Sequence, residues 1–221
     1  MTAKEHAGGA PWWEWDAPLA KAEESAIAKL RENLADHFEF HKYVQFLFFR
    51  QWKSVRDIAY ARGIKILGDI PIYVASDSVD VWANRRLFQL DDRGHPTVVA
   101  GVPPDYFSAT GQRWGNPLFR WDVMHDEGYR WWIDRVRANM RFADVIRLDH
   151  FRGFSAYWEI PAHESTAIHG RWMPGPGIAL FNAIRAALGD LPLVAEDLGF
   201  ITPEVHELRK AVALPGMRLP I

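Results

Sequence analysis

Apolar positions between residues 25 and 62 recur at three- and four-residue intervals: Ile27, Leu30, Leu34, Phe38, Val44, Leu47, Phe48, Val55, Ile58 and Ala59. That period lays them along one stripe and predicts one long helix or two in tandem. Gly63 stands where a glycine stop belongs. Residues 64–70, Ile-Lys-Ile-Leu-Gly-Asp-Ile, then read as a short strand. Residues 71–124 are rich in Gly, Pro, Asp and Asn and show little periodicity. They predict a long connection, and long connections inside compact domains are usually functional. A helix is expected over 126–142, with Tyr129, Trp132, Ile133 and Val136 on one face, and a strand over 144–148 that stops at Asp149. Residues 150–176 read as loop. A third helix over 178–188 is stopped by Gly189, and a strand over 191–195 ends at Glu196. Thr202-Pro203-Glu204 has the form of a capped helix start. A fourth strand is expected to begin at Met217.

Strands that alternate with helices imply a parallel β/α architecture. No glycine-rich phosphate fingerprint follows any strand, which argues against a dinucleotide-binding sheet. Each expected strand runs instead into an acid: Asp69, Asp149 and Glu196. Acids at the C-terminal ends of successive strands are the layout of a (β/α)8 TIM-barrel site, and three or four strands make about half of such a barrel.

Composition narrows the choice further. The chain has 221 residues, 48% of them hydrophobic, and a formal net charge of −2. A core of useful size is available, and nothing in the charge favours nucleic acid or an anionic membrane as partner. There is no cysteine, which excludes disulfides and thiolate zinc sites and suits a cytoplasmic setting. No apolar run is long enough to span a bilayer, and residues 1–5 lack the apolar stretch of a signal peptide. Eleven tryptophans are unusual. Composition leaves open whether they fill a core or pack against the apolar faces of sugars.

Cleavage of a glycosidic bond needs one acid to protonate the leaving oxygen and one carboxylate facing the anomeric carbon; in retaining enzymes the two lie ~5 Å apart. Asp149 and Glu196 end consecutive expected strands, and neighbouring strands are ~5 Å apart. Arg147 lies two residues before Asp149, so both side chains share a face of their strand. Residues alone leave two readings open, a catalytic pair with a supporting arginine or a structural salt bridge at a strand end.

Five segments carry a family resemblance. Arg147-Leu148-Asp149-His150-Phe151-Arg152-Gly153-Phe154 resembles the nucleophile strand of amylomaltases, the disproportionating enzymes of the α-amylase clan of glycoside hydrolases. Ala195-Glu196-Asp197-Leu198-Gly199 resembles their acid/base strand, and Gly68-Asp69-Ile70-Pro71-Ile72-Tyr73-Val74 their third barrel strand. Gly101-Val102-Pro103-Pro104-Asp105-Tyr106-Phe107-Ser108 and Gly111-Gln112-Arg113-Trp114-Gly115-Asn116-Pro117 are similar to their active-site loop. The resemblance runs from about Pro11 to Arg218. It implies a 4-α-glucanotransferase acting on maltodextrin or starch-derived glucans through a covalent glucosyl-enzyme, with no organic cofactor and no metal. Asp149 is then the nucleophile, Glu196 the acid/base and Arg147 its support. Asp69 and Asp105 would bind glucose hydroxyls, and Tyr106, Phe107 and Trp114 would line the glucan path.

On this reading residues 1–24 are an aromatic loop segment. Residues 25–221 are a partial barrel, about strands 3 to 5 or 6, with an active-site loop insertion at about 71–124. The family's third catalytic carboxylate, in a His-Asp pair on a later strand, has no counterpart here, because Glu204, His206 and Glu207 lie on the helix after Glu196. Ala109 stands where many members have an acid. The chain therefore reads as a truncated segment. The competing functions are an α-amylase-type hydrolase, which the Pro-Pro-Asp-Tyr-Phe-Ser loop disfavours, and an inactive glucan-binding fragment.

Other candidates read more plainly. His37 and His41 are helically spaced with no third ligand near them in sequence. By strand alternation His150 faces away from Asp149, as a packed or hydrogen-bonded ring or a substrate contact, and Asp197 faces away from Glu196, in a role holding the loop. Trp131-Trp132 reads as core, and Trp12, Trp13 and Trp15 as a packed loop. Arg152 pairs with an acid or is solvated.

Overall fold

The computed structural model describes residues 2–199 and 201–218. Two short helices, α1 (Thr2–His6) and α2 (Ala17–Ala20), precede the expected tandem pair, α3 (Glu24–Asn33) and α4 (Ala35–Ala61). The pair divides at Leu34, whose backbone leaves the helical region (φ −120°, ψ 31°). Gly63 ends α4 with positive φ (+68°), and its N–H donates to the Tyr60 carbonyl at 2.9 Å. The apolar stripe of α4 does not form core. Phe40, Tyr43, Val44, Phe46, Phe48, Val55 and Ile58 are exposed, and no residue of the helix is buried.

Two sheets carry the remainder. The first is parallel, in the order β1 (Leu67–Ile70), β4 (Val145–Leu148), β7 (Leu193–Ala195). Period-2 alternation divides it into faces. Ile70, Ile146, Leu148, Leu193 and Ala195 are buried in the main core, whereas Asp69, Val145, Arg147 and Val194 point to the other, partly open face. The expected fourth strand reaches this sheet only as a parallel bridge from Gly216 to Ala195, where the Ala195 N–H donates to Pro215 O at 2.9 Å. The chain end at 219–221 lies outside the described residues.

The second sheet is antiparallel, ordered β3 (Gln112–Pro117), β2 (Val98–Val102), β5 (Ala156–Pro161), β6 (Arg171–Pro174). It lies within the two stretches read from sequence as connections, which also hold α5 (Val79–Ala83), the first turn of α6 (Trp121–Asp126) and a 3-10 turn at Phe151–Phe154. Glycines and prolines mask its alternation. At Gly101 a Cβ would sit 2.2 Å from Gln112 O and 2.6 Å from the Ile160 side chain, so the sheet needs glycine where a period-2 pattern needs an apolar residue.

The helix expected over 126–142 begins later. Gly128 and Tyr129 take positive φ, separating α6 from α7 (Arg130–Asn139). Helices α8 (Gly177–Leu188) and α9 (Pro203–Ala211) follow as expected, with Gly189 (φ +76°) ending α8 and Pro203 opening α9. The Trp12–Trp15 segment is packed: Trp12 is buried and its indole N–H donates to Ser76 O at 2.8 Å.

The main core is aromatic at its centre. Phe119, 1% exposed, has Phe88, Trp121, Trp131, Trp132 and Tyr73 within 4.9–5.9 Å, centroid to centroid. Arg135 stacks on both Trp131 and Trp132 and donates to Ile72 O at 3.2 Å. Phe119→Ala removes the ring all of these share. It should destabilise the protein by about 3–5 kcal/mol, the cost of emptying a large aromatic site, seen as a lower midpoint in urea.

Candidate active site

The register of the parallel sheet sets the site. Asp69 is paired with Arg147 and Arg147 with Val194; Ile70 is paired with Leu148 and Leu148 with Ala195. The ladder continues one step past the strand ends. Asp149 N donates to Ile70 O and Glu196 N to Leu148 O, both at 3.0 Å. Asp149 and Glu196 therefore leave neighbouring strands at the same level, and Asp69 lies one residue before the end of its own.

Arg147 joins two of these acids. Its Nε donates to Asp69 Oδ1 at 3.0 Å and its Nη2 to Asp69 Oδ2 at 2.8 Å, a two-bond fork. The same Nη2 donates to Asp149 Oδ1 at 2.8 Å. The Asp69 hydrogen bonds, with the charges of Asp149 and Glu196, push the guanidinium further above its ordinary value. Glu196 is held by backbone: Oε2 accepts from His150 N at 3.0 Å and Oε1 from Leu198 N at 2.9 Å. Asp197 faces the other way, as expected. It pairs with Arg209 at 2.9 Å and accepts from Met217 N at 2.8 Å, tying the turn after β7 to α9 and to the segment that follows α9.

His150, for which the sequence left a packed ring and a substrate contact both open, lies beyond the strand end in the left-handed region (φ +50°). Its ring meets Trp114 edge-on at 4.8 Å and lines the same cavity as Glu196. Burial, with the Arg152 charge second, lowers its pKa from 6.5 to about 4.

That cavity, ≈ 720 Å³, opens beside Glu196 and His150 and is walled by residues 102–107, Leu198, Gly199, Arg152 and Trp172. Asp105, expected to meet sugar hydroxyls, spends Oδ1 on its own turn, accepting from Phe107 N (2.9 Å) and Ser108 N (2.8 Å). That turn presents Tyr106 and Phe107 outward, 98% and 92% exposed and edge-to-face with each other. Trp114 joins the group through His150, with its indole N–H on Gln112 Oε1 at 3.1 Å.

The expected residues thus fall into two adjoining groups, the Asp69–Arg147–Asp149 ion network and the cavity beside Glu196. Trp172 escaped the sequence reading, because the pairing of β5 with β6 that brings it here has no local signature. Arg152 joins it, with its guanidinium 4.0 Å from the indole ring centroid. Among the described residues no group of three or more His, Asp or Glu is placed to hold a metal ion, and no helix is long and apolar enough to cross a membrane.

An arginine fork between two carboxylates, with a further acid on the next parallel strand beside an aromatic cavity, defines a carboxylate site of the kind that glycoside chemistry uses. The sequence profile of the 4-alpha-glucanotransferase family matches residues 1–220. The chain is similar to the 4-alpha-glucanotransferase of Thermus thermophilus, at 53% identity over 99% of this chain and 44% of that protein. It is also similar to that of Streptococcus pneumoniae, at 49% identity over 99% and 44%. In three dimensions it is similar to the amylomaltase from Streptococcus agalactiae in complex with acarbose, with a TM-score of 0.94, 43% identity, and coverage of 99% of this chain and 44% of that one. The chain belongs to the 4-alpha-glucanotransferase family. It spans 44% of the length of these relatives.

The depressed His150 pKa has a consequence for stability. Between pH 6.5 and about 4 the unfolded chain carries a proton on this ring and the folded chain does not. The unfolded state then binds more protons, so the stability held above pH 6.5 is lost as pH falls through that window. Urea midpoints should decline across it, and His150→Asn should flatten that part of the decline. A His150 ring signal titrating near its ordinary value in NMR spectra would contradict the burial effect.

Proposed function

We propose that this chain carries the nucleophile and acid/base half of a 4-alpha-glucanotransferase active site, one that moves an α-1,4-glucan segment to the 4-OH of a glucose or maltodextrin acceptor with retention. The observation that carries the reading is the Arg147 fork holding Asp69 and Asp149, with Glu196 at the same level on the neighbouring strand. Family membership supports it, since the relatives named above bear that activity in their names.

The reaction has two displacements. The Asp149 carboxylate attacks the anomeric carbon as the glycosidic C–O bond breaks, and Glu196 gives its proton to the leaving oxygen. A glucosyl ester on Asp149 remains. The acceptor 4-OH then loses its proton to Glu196 and attacks the same carbon, which expels Asp149 as carboxylate. Both residues return to their starting states, and two inversions give retention. Arg147 fixes the Asp149 oxygen that does not attack. Asp69 and Asp105 bind sugar hydroxyls, and Tyr106, Phe107, Trp114 and His150 border the glucan path. No step calls for an organic cofactor or a metal.

We read the architecture as part of a (β/α)8 barrel, about strands 3 to 5 or 6, with residues 1–24 as a packed aromatic segment and 71–124 as an insertion over the site. Two features support it: the partly open face of the parallel sheet that bears Asp69 and Arg147, and the uncovered apolar stripe of α4.

The test is incubation of the full polypeptide containing this chain with maltotriose. Glucose together with longer maltodextrins is the expected product pattern, whereas hydrolysis products alone would make it a hydrolase. Asp149→Asn should abolish transfer and leave glucan binding largely intact, because the amide fills the same space without attacking. Glu196→Gln should slow transfer from ordinary glucans by about a hundredfold to ten-thousandfold, the usual size of general-acid assistance. A donor with a good leaving group should lose far less, and equal losses for both donors would remove Glu196 from the acid role.

A further inference from the structure

We infer that Trp172, backed by Arg152, is the stacking platform for the sugar on the acceptor side of the site. The inference rests on the transfer reading above. Glu196 protonates the leaving oxygen in that reaction, so the leaving sugar, and later the acceptor, must lie on the Glu196 side. The ≈ 720 Å³ cavity is on that side: Glu196 lines it, and Asp69, Arg147 and Asp149 are not among its walls. Trp172 is the tryptophan in its lining.

The local build suits a platform. Trp172 lies on β6, an edge strand of the antiparallel sheet, and is 40% exposed. A large ring left that open in a cavity wall offers a flat apolar face to a flat apolar ligand surface. Its orientation is fixed from two sides. Trp158 stands directly opposite on β5, edge-on at 5.2 Å, with its own indole N–H tied to Ala167 O at 2.9 Å. The Arg152 guanidinium lies 4.0 Å from the Trp172 ring centroid. This contact stacks a cation over one face of the ring and holds the ring in place. Next to Trp172, Arg171 ties the hairpin to the buried Glu159 on β5 through two bonds of 2.6–2.7 Å, so the strand that presents the ring is itself anchored. A rigid, partly open aromatic surface fits one ring of an α-glucan, which is apolar on its face.

Separating donor from acceptor events tests this. The full polypeptide is given a saturating maltosyl fluoride donor, whose fluoride leaves without an acceptor sugar, and glucose is titrated as acceptor. The glucose concentration for half-maximal transfer should rise about tenfold in Trp172→Ala, equivalent to roughly 1.4 kcal/mol. Trp172→Leu keeps apolar bulk against Trp158 but removes the flat face, so it should show a rise of similar size. Trp172→Phe should recover most of the loss. The first-turnover burst of fluoride should stay unchanged in all three. Unaltered glucose half-saturation in the Ala or Leu variant would overturn the inference, and so would an equal loss in burst and acceptor steps, which marks a structural role. If the unsubstituted polypeptide releases no fluoride, the transfer reading falls, and this inference with it.

Discussion

The site depends on the register of three short parallel strands. Side chains on a strand alternate with a period of two, so a slip of one residue would turn a whole set to the other face. In β4 that would carry Arg147 into the core and bring Ile146 and Leu148 out. What prevents the slip is the burial of Ile70, Ile146, Leu148, Leu193 and Ala195 against α7, α8 and the Phe151–Phe154 turn. The core and the active carboxylates are alternate residues of the same strands, so the energy that packs one set also aligns the other.

The Arg147 fork acts within that frame as a positioning device. Its side chain is 25% exposed and its partners 53% and 39%, so solvent screens the pairs and their contribution to stability is small. Their geometric effect is larger. A guanidinium bonded to both Asp69 oxygens has one allowed plane, and Nη2 then fixes where Asp149 Oδ1 can lie. Glu196 is placed by the backbone N–H groups of His150 and Leu198 instead. One acid is therefore held by a side chain from the open face of the sheet, the other by the turns that follow β4 and β7.

Which features could be read from sequence follows from the range of the interactions behind them. The parallel strands, α8, α9 and the tandem α3–α4 pair announce themselves through local period and through glycine or proline at their ends. Arg147 beside Asp149 needed only the spacing of two. The second sheet was illegible because its strands contain glycine where neighbours approach closely, as at Gly101, and because its central β2–β5 pairing spans a long interval. Alternation could not choose between a packed and a contacting His150, because it holds only within a strand and the left-handed His150 backbone lies one residue past Asp149. The apolar period of α4 did announce a helix, but period alone does not say which surface covers the stripe, and here it stays exposed.

The division of labour between the two sheets explains how such a site can vary. The acids come from the parallel sheet, where changing a strand residue disturbs core and register together. The cavity walls come from the antiparallel sheet and its loops: Trp172 from β6, and Tyr106 and Phe107 from the turn after β2. Those side chains are open to solvent and contribute little to the core, so substitution there changes what is bound at little cost in stability. The halves share one core, which holds Ala100 and Tyr157 beside Ile146 and Leu148, and at the site His150 links them: it donates to Glu196 through its backbone and touches Trp114 on β3 through its ring. Because that ring is half-buried and held neutral, it joins the two halves by packing and brings no second charge to the acid it adjoins.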